Sequence, residues 1–226
     1  MRMFPNKTTG CVLVIGWQAD AIAALLTEHT PANTTHYIVT DQPKRLARAT
    51  HLQHIHADLN DLDDIKAVFT QLAKRGQHPE LVIFQARPAA QTSAEYVSNA
   101  PAESVSYEMA QLEQRWQQTG FRLFLWAQAA IAVLQDTAKQ RRPATFVTLG
   151  ADLASQPDAS LAVDSGLYAG MRALMQSLAR EFQPQSVHVA YVGLAAQSSS
   201  AAAAQLCWQL HQQPRSAWTH EVVLVS

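Results

Sequence analysis

Residues 11–16 read Cys-Val-Leu-Val-Ile-Gly, a short continuous apolar run that ends at a glycine. Such a run is typical of a strand that is buried on both faces of a parallel sheet. The segment 19–28 that follows is rich in alanine and leucine, which predicts a helix. The chain therefore opens with a strand, a glycine turn and a helix, the unit from which doubly wound α/β folds are built.

The same alternation continues along the rest of the chain. We predict further strands near 36–40, 53–58, 81–84, 144–149, 187–192 and 221–225. We predict helices over 43–49, 62–75, 107–141 (with a break near Thr119 and Gly120), 165–182 and the later part of 195–213, with loops over 87–105 and 151–164. Because parallel strands require crossover helices, this order predicts one Rossmann-like domain spanning 1–226. Its doubly wound parallel sheet of about seven strands would carry helices on both faces and ligand at the carboxyl ends of the strands.

The composition excludes several classes of protein. The chain has 17 lysines and arginines against 18 aspartates and glutamates, so it lacks the basic excess of a nucleic-acid-binding protein. With 48% hydrophobic and 15% charged residues, it is not a disordered chain. No apolar run approaches the ~18 residues of a membrane span. From the balanced charge and the short apolar runs together, we expect neither nucleic acid nor a membrane as a partner.

The cysteines and the first residues bear on location. Cys11 and Cys207 lie far apart and form neither a disulfide framework nor a metal-binding pair. Residues 1–10 lack the apolar core of a signal peptide. We therefore expect a reducing, cytoplasmic environment.

The first strand-to-helix turn is where a dinucleotide would bind, and it is poor in glycine. Residues 16–23 read Gly-Trp-Gln-Ala-Asp-Ala-Ile-Ala, whereas dinucleotide turns carry several glycines that let backbone N–H groups approach the pyrophosphate. Ala21 and Ala23 are the smallest replacements, Asp20 places a negative charge near the pyrophosphate, and Trp17 either stacks on a ligand or fills its place. The sequence is compatible both with a cofactor-binding loop that has few glycines and with a plain turn that binds no ligand.

Acidic residues end the next two predicted strands. A carboxylate at Asp41 would accept hydrogen bonds from the ribose hydroxyls of NAD and repel the 2′-phosphate of NADP. Asp58 and Leu59 lie where an adenine contact would fall. The alternatives are a capping role for Asp41 and a turn role for Asp58, and the neighbouring Lys44 and Arg45 weaken the preference. We expect NAD rather than NADP, or no cofactor if the loop is closed.

Tyr168 and Arg172 stand four residues apart on a predicted helix and so share one face. A cation beside a phenol lowers the pKa of that phenol, which turns a tyrosine into an acid/base. The alternative is a tyrosine and an arginine on the outer surface of an amphipathic helix.

Over nearly its whole length, the order of segments resembles the short-chain dehydrogenase/reductase family. The similar segments are 12–16, 57–59, 81–87, 124–130 and 168–182. The most specific is Tyr168-Ala-Gly-Met-Arg172 with Leu178-Ala-Arg-Glu-Phe182, which is similar to the family's Tyr-x-x-x-Lys helix and its Leu-Ala-x-Glu-Leu continuation.

The resemblance implies an oxidoreductase that transfers a hydride between NAD(P) and a small carbonyl or alcohol. It implies Tyr168 as acid/base, Arg172 as the cation that lowers its pKa and touches the ribose, and Thr148 or Ser155 as the group holding the carbonyl. Thr119 falls near the family's asparagine position. The implied cofactor contacts are Gly16, Trp17, Ala21, Ile22, Asp41, Asp58, Leu59, Gln85 and Ala86.

The departures support a second hypothesis. Arg172 replaces a lysine, and its planar fork cannot reproduce the bonds of an ammonium group. Thr148 is the nearest hydroxyl on the fifth strand, and Ser155, which lies 13 residues before Tyr168, sits in a predicted loop. The segment Gln85-Ala86-Arg87 stands where the family has Asn-Asn-Ala-Gly, and it matches that motif only at the alanine. The alternative is a catalytically silent protein that acts as a scaffold or oligomer partner, similar to the structural ketoreductase half of polyketide synthases.

Two further patterns bear on metals and partners. His54 and His56 alternate on the third strand, but no third ligand has diagnostic spacing, so we expect no metal. The long central helix is dense in apolar residues at Trp116, Phe121, Phe124, Leu125 and Trp126. We interpret this face as a homodimer or homotetramer interface, with a packed core face as the alternative.

Overall fold

The computed structural model describes residues 9–41, 52–86 and 109–225. The strands are β1 (Thr9–Gly16), β2 (Thr35–Thr40), β3 (Leu52–His56), β4 (Gln77–Gln85), β5 (Thr145–Ala151), β6 (His188–Leu194) and β7 (Glu221–Leu224). They form one sheet in the order β3-β2-β1-β4-β5-β6-β7, and every pair is parallel. This confirms the predicted seven-stranded, doubly wound sheet.

Helices cover both faces of the sheet. They are α1 (Ala19–Leu26), α2 (Leu62–Lys74), α3 (Met109–Trp116), α4 (Arg122–Lys139), α5 (Ala162–Phe182) and α6 (Ser200–Gln212). Short 3-10 turns lie at Asp152–Ala154, Ala159–Leu161, Gln183–Gln185 and Arg215–Ala217. None of the helices in these ranges is long and apolar enough to cross a bilayer.

The side chains of β1 alternate between two cores, as the pleat of a strand requires. Leu13 and Ile15 pack into a core with α2, α4 and α5, whereas Val12 and Val14 pack into a core with α1 and α6. Both faces of β1 are therefore buried, which explains its unbroken apolar run.

The strand order reverses at β1. From β1 the chain moves outward to β2 and β3, then returns to the other side of β1 to form β4. In open α/β sheets, ligands bind outside the carboxyl ends of the strands at such a reversal. The topology therefore places the candidate site next to the glycine turn, as the sequence predicts.

The predicted break in the central helix is confirmed. A π-helical turn, Gln117–Phe121, separates α3 from α4. Within it, the Thr119 hydroxyl donates to the carbonyl oxygen of Arg115 at 2.7 Å. The Trp116 ring packs on Gly120 so closely that a Cβ there would lie 2.3 Å from the ring.

Most element boundaries lie within two residues of the prediction, and two differ by more. β4 begins at Gln77 rather than 81 and passes through Pro79. Its register against β1 shifts between Cys11 and Val12, so Glu80 is the extra residue of a bulge. α5 begins at Ala162 rather than 165. The predicted helix over 43–49 and loop over 87–105 lie outside the described residues.

Candidate active site

Two cavities lie at the carboxyl edge of the sheet. The first, about 480 Å³, opens between the β1–α1 turn, the end of β2 and the start of α4. The second, about 690 Å³, opens between the ends of β4, β5 and β6 and the start of α5. Gln18 and Gln85 line both cavities, so the two cavities adjoin at these residues and together form the candidate cleft.

Gly16 forms the floor of the first cavity, in a conformation that requires glycine. Its φ is 101°, and a Cβ on it would lie 2.3 Å from the carbonyl oxygen of Gln85. The same carbonyl accepts the backbone N–H of Trp17 at 3.1 Å. The end of β1 therefore approaches β4 more closely than any residue with a side chain permits.

Gln18 has a backbone conformation that glycine adopts more readily than other residues. It precedes α1 in the left-handed region, with φ 49° and ψ 29°, and its side chain makes no capping hydrogen bond. This conformation costs a residue other than glycine about 1–2 kcal/mol. Asp20, in the first turn of α1, also lines the cavity, where the positive end of the helix dipole stabilises its carboxylate.

Asp41 lines the first cavity in an ion pair. Its Oδ2 accepts from Nη2 of Arg122 at 3.0 Å, and the Nε of Arg122 donates to Oδ1 of Asn60 at 2.9 Å. The carboxylate predicted to meet the ribose is therefore already held by a cation from the start of α4, which also lines the cavity.

Of the other predicted cofactor residues, some line the two cavities and others do not. Leu59 lines the first cavity, and Ile22 and Ala86 line the second. Asp58 is exposed and accepts from the backbone N–H of Asn60 at 2.8 Å, which is a turn-forming role. Ala21 is half-buried on α1 and is not among the residues that line either cavity.

Gln85 carries an unsatisfied acceptor at the junction of the two cavities. Its Oε1 is buried and has no hydrogen-bond partner among the described residues. Such an atom is costly unless a ligand or water donates to it. A polyhydroxylated ligand that crosses the junction would supply that donor.

Tyr168 lines the second cavity with only 1% of its surface exposed. Burial raises the pKa of its phenol well above the ordinary value of 10, and the nearby Asp164 carboxylate raises this pKa further. Arg115 acts in the opposite direction and lowers it. The Tyr168 hydroxyl is therefore a protonated phenol at neutral pH.

Arg115 and Asp164 form a buried ion pair near Tyr168. Nη1 of Arg115 lies 2.8 Å from Oδ1 of Asp164, and the other oxygen of Asp164 has no hydrogen-bond partner in the described part of the chain. Desolvation raises the pKa of Asp164, and Arg115 lowers it. Asp164 lies four residues before Tyr168, the same helical spacing that directs attention to Arg172.

Arg172 is engaged by a different element. Its Nε donates to Oε1 of Glu221 on β7 at 2.7 Å, and Nε2 of Gln176 donates to the other oxygen of that carboxylate at 2.7 Å. The pair raises the pKa of Arg172 and lowers that of Glu221. Arg115, rather than Arg172, is thus the cation that acts on the pKa of Tyr168.

The predicted hydroxyl groups lie apart from the cleft. The Thr148 hydroxyl is buried and donates to Sδ of Met175 at 3.2 Å. Ser155 is exposed and donates to the carbonyl oxygen of Asp152 at 3.1 Å. Thr119 donates to its own helix within the π turn.

Tyr191 is a buried residue beside the candidate site that sequence reasoning missed. Its hydroxyl donates to the carbonyl oxygen of Ala151 at 2.8 Å, and a Cβ on Gly150 would lie 2.3 Å from that hydroxyl. Tyr191 therefore fills the space beside the end of β5 that borders the second cavity. Arg122, which lines the first cavity, was also missed, as were Arg115 and Glu221, the partners of Asp164 and Arg172. Each comes from an element far away in the sequence.

Solved structures share this fold over nearly the whole chain. A short-chain dehydrogenase from Rhodopseudomonas palustris is 22% identical, with a TM-score of 0.76 covering 96% of this chain and 98% of that one. A 3-ketoacyl-(acyl-carrier-protein) reductase from Brucella melitensis, complexed with NADH, is 14% identical, with a TM-score of 0.77 covering 95% of each chain. A metagenomic short-chain oxidoreductase, in complex with NADP, is 18% identical, with a TM-score of 0.71 covering 95% of this chain and 96% of that one.

The chain has the short-chain dehydrogenase/reductase fold. No protein-family model and no curated protein sequence matches it. The predicted resemblance is thus confirmed at the level of the fold, while the short-chain dehydrogenase/reductase site has to be judged from the residues of this chain.

A nicotinamide dinucleotide, the cofactor that this fold implies, fits the cleft. Gly16 lets the end of β1 approach the Gln85 carbonyl at the edge of the cavity, Gln18 has the left-handed backbone that glycine favours, and Gln85 presents a buried acceptor without a partner among the described residues. No three histidine, cysteine or carboxylate side chains among the described residues are placed to hold a metal ion.

Proposed function

We propose that this protein is a nicotinamide-dinucleotide-dependent oxidoreductase of the short-chain type, acting on a small carbonyl or alcohol substrate. The observation that carries the proposal is a pair of adjoining cavities: Tyr168 lines one, the Gly16 turn lines the other, and Gln18 and Gln85 line both. The NADH and NADP in the Brucella and metagenomic structures support the choice of cofactor.

The residues of the first cavity would hold the dinucleotide, with Gln85 donating or accepting at the junction. When bound, the cofactor supplies or accepts the hydride. Gly16, Trp17 and Leu59 shape the surface that the ligand covers, and Asp41 with Arg122 provides the charged groups on its outer side.

Tyr168 would supply the proton. Because burial and Asp164 raise the pKa of its phenol, the hydroxyl holds a proton at neutral pH and donates it to the alkoxide that forms during reduction. Arg115 stabilises the phenolate that remains.

The test is NADH and NADPH consumption with a panel of small aldehydes and ketones. We expect Tyr168→Phe to lower kcat by about 10²-fold or more, since general acid catalysis contributes 10²–10⁴-fold. Tyr37→Phe is the matched control, because Tyr37 is a buried tyrosine of β2 outside both cavities. Full activity of Tyr168→Phe would exclude the tyrosine mechanism.

A second candidate function is a catalytically silent scaffold that binds a nucleotide or a partner without turnover. It is favoured by the engagement of Arg172 with Glu221 and of Thr148 with Met175, which removes two predicted catalytic groups from the cleft. Dinucleotide binding without consumption of reduced cofactor, for any carbonyl in the panel, would select this candidate.

A further inference from the structure

Arg122 joins three elements at the outer wall of the first cavity. It begins α4, donates through Nη2 to Asp41 at the end of β2, and donates through Nε to Asn60 before α2. The Arg122 side chain is 20% exposed and the Asp41 side chain 32% exposed, and both residues line the cavity. The pair is therefore accessible to a ligand while remaining partly shielded from bulk water.

The pair changes the charge at the position where NAD and NADP differ, which is the 2′ position of the adenosine ribose. A lone carboxylate at the end of the second strand accepts from the ribose hydroxyls and repels a 2′-phosphate. Here the Arg122 guanidinium compensates the Asp41 carboxylate at 3.0 Å. A guanidinium has five N–H donors in a planar fork that matches phosphate oxygens, and the described residues engage this one only through Nε and Nη2.

We propose that Arg122 is the residue that selects the cofactor, by cancelling the repulsion from Asp41 and binding the 2′-phosphate, so that the protein prefers NADPH to NADH. This inference rests on the proposed function. It replaces the preference for NAD that Asp41 alone predicts. The selecting cation lies 81 residues along the chain from the carboxylate it compensates.

The test is calorimetric titration of the full chain with NADH and with NADPH. We expect the wild-type protein to bind NADPH at least tenfold more tightly, since charge-assisted bonds between arginine and phosphate are among the strongest hydrogen bonds. Arg122→Met should weaken NADPH binding about tenfold or more and change NADH binding less than threefold. Asp41→Asn, which keeps the cation, should leave NADPH binding unchanged or tighter.

Arg142→Met is the matched control for loss of a half-buried ion pair. Arg142 donates to Glu80 at 2.7 Å, with exposure similar to that of the Arg122 pair, and lies at the opposite, amino edge of the sheet. The preference of the Arg142→Met variant between NADH and NADPH should equal that of the wild-type protein. Thermal unfolding of each variant checks that the fold is retained.

The outcomes separate this inference from the proposed function. An unchanged preference in Arg122→Met, or a wild-type preference for NADH, would overturn the inference while leaving the proposed function in place. If the wild-type protein binds neither cofactor at millimolar concentration, both are overturned.

Discussion

At the scale of single residues, the β1–α1 turn combines one indispensable glycine with a strained glutamine. Gly16 has positive φ and no room for a Cβ against Gln85, whereas Gln18 adopts a left-handed backbone despite its side chain. Backbone strain of this kind persists where the surrounding structure enforces it, and it concentrates at ligand-binding sites. The turn therefore holds two nearby positions in the backbone region that glycine favours, although only one of them is a glycine.

We predict that Gly16→Ala lowers the free energy of unfolding by about 1–3 kcal/mol and weakens dinucleotide binding, because the new Cβ meets the Gln85 carbonyl. Urea unfolding and calorimetric titration measure the two effects. Gly166→Ala is the control: Gly166 lies within α5 with nothing within 4 Å of its Cβ position, so alanine should stabilise the helix by up to ~1 kcal/mol. Equal stability of the two variants would contradict the close approach.

At the scale of elements, a buried ion pair connects α3 to α5 beside the candidate acid. Arg115 on α3 and Asp164 on α5 are both buried, and their contact of 2.8 Å lies on the Tyr168 side of α5. Removing one member of a buried pair leaves an uncompensated charge, whereas replacing both with apolar residues is often neutral. The pair therefore sets the docking of α3 against α5 as well as the electrostatics of Tyr168.

We predict that Asp164→Leu lowers the free energy of unfolding by about 3–5 kcal/mol and that Arg115→Met in the same chain restores most of the loss. Urea unfolding of the single and double variants measures the coupling. The exposed pair Lys139–Asp136 on α4 is the control, and Asp136→Asn should change stability by less than ~1 kcal/mol. Additive losses in the double variant would show that the two charges act independently.

At the scale of the whole molecule, the aromatic residues of the central helix divide between core and surface. Leu125 and Trp126 are buried, and Nε1 of Trp126 donates to the carbonyl oxygen of Leu59 at 3.2 Å. Trp116, Phe121 and Phe124 are exposed large apolar residues of the same helical region. Contiguous exposed apolar residues are typical of a protein–protein interface, and these three residues come from one short helical stretch.

We predict that the protein is a homodimer or homotetramer that associates through this exposed face. Light scattering at micromolar concentration should report a mass of two or four chains, and Phe124→Glu should lower it by placing a charge in an apolar contact. Glu113→Gln on the neighbouring α3, an exposed polar substitution, should leave the mass unchanged. A monomeric wild-type protein would contradict the prediction.

Buried histidines should make the whole molecule sensitive to acid. Burial lowers the pKa of His36 and of His188, and it lowers the pKa of His211 from 6.5 to about 4. The unfolded chain therefore binds more protons than the folded chain below pH 6.5. The free energy of unfolding is unaffected by these groups above pH 6.5 and falls as the pH drops from 6.5 towards 4.

We predict that His211→Gln reduces the fall in the free energy of unfolding between neutral and acidic pH. His211 contacts the Thr145 hydroxyl through Nδ1 at 2.9 Å, and glutamine keeps a polar group there without a titrating proton. Between pH 7 and pH 4.5, the wild-type protein should lose about 2 kcal/mol more than the variant, from a pKa shift of this size. Urea unfolding at the two pH values measures this difference, and equal losses would contradict the prediction.

The local sequence determined the architecture. Unbroken apolar runs such as 11–16 identify strands with two buried faces, and helical apolar spacing such as that of 62–75 identifies the crossovers, so the parallel sheet follows from short-range patterns. Gly16, Asp41 and Gln85 were likewise placed near one cleft, because they end or follow strands that share an edge.

Only the tertiary structure decided which charges meet. Arg122 pairs with Asp41, Arg172 with Glu221 and Arg115 with Asp164, each across elements well separated along the chain. Helical spacing alone directs Arg172 towards Tyr168, but a guanidinium binds the strongest carboxylate partner within its reach, and β7 brings one there. The reason is general: periodicity determines which face of an element is buried, whereas the partner of a long charged side chain depends on which distant elements pack beside it.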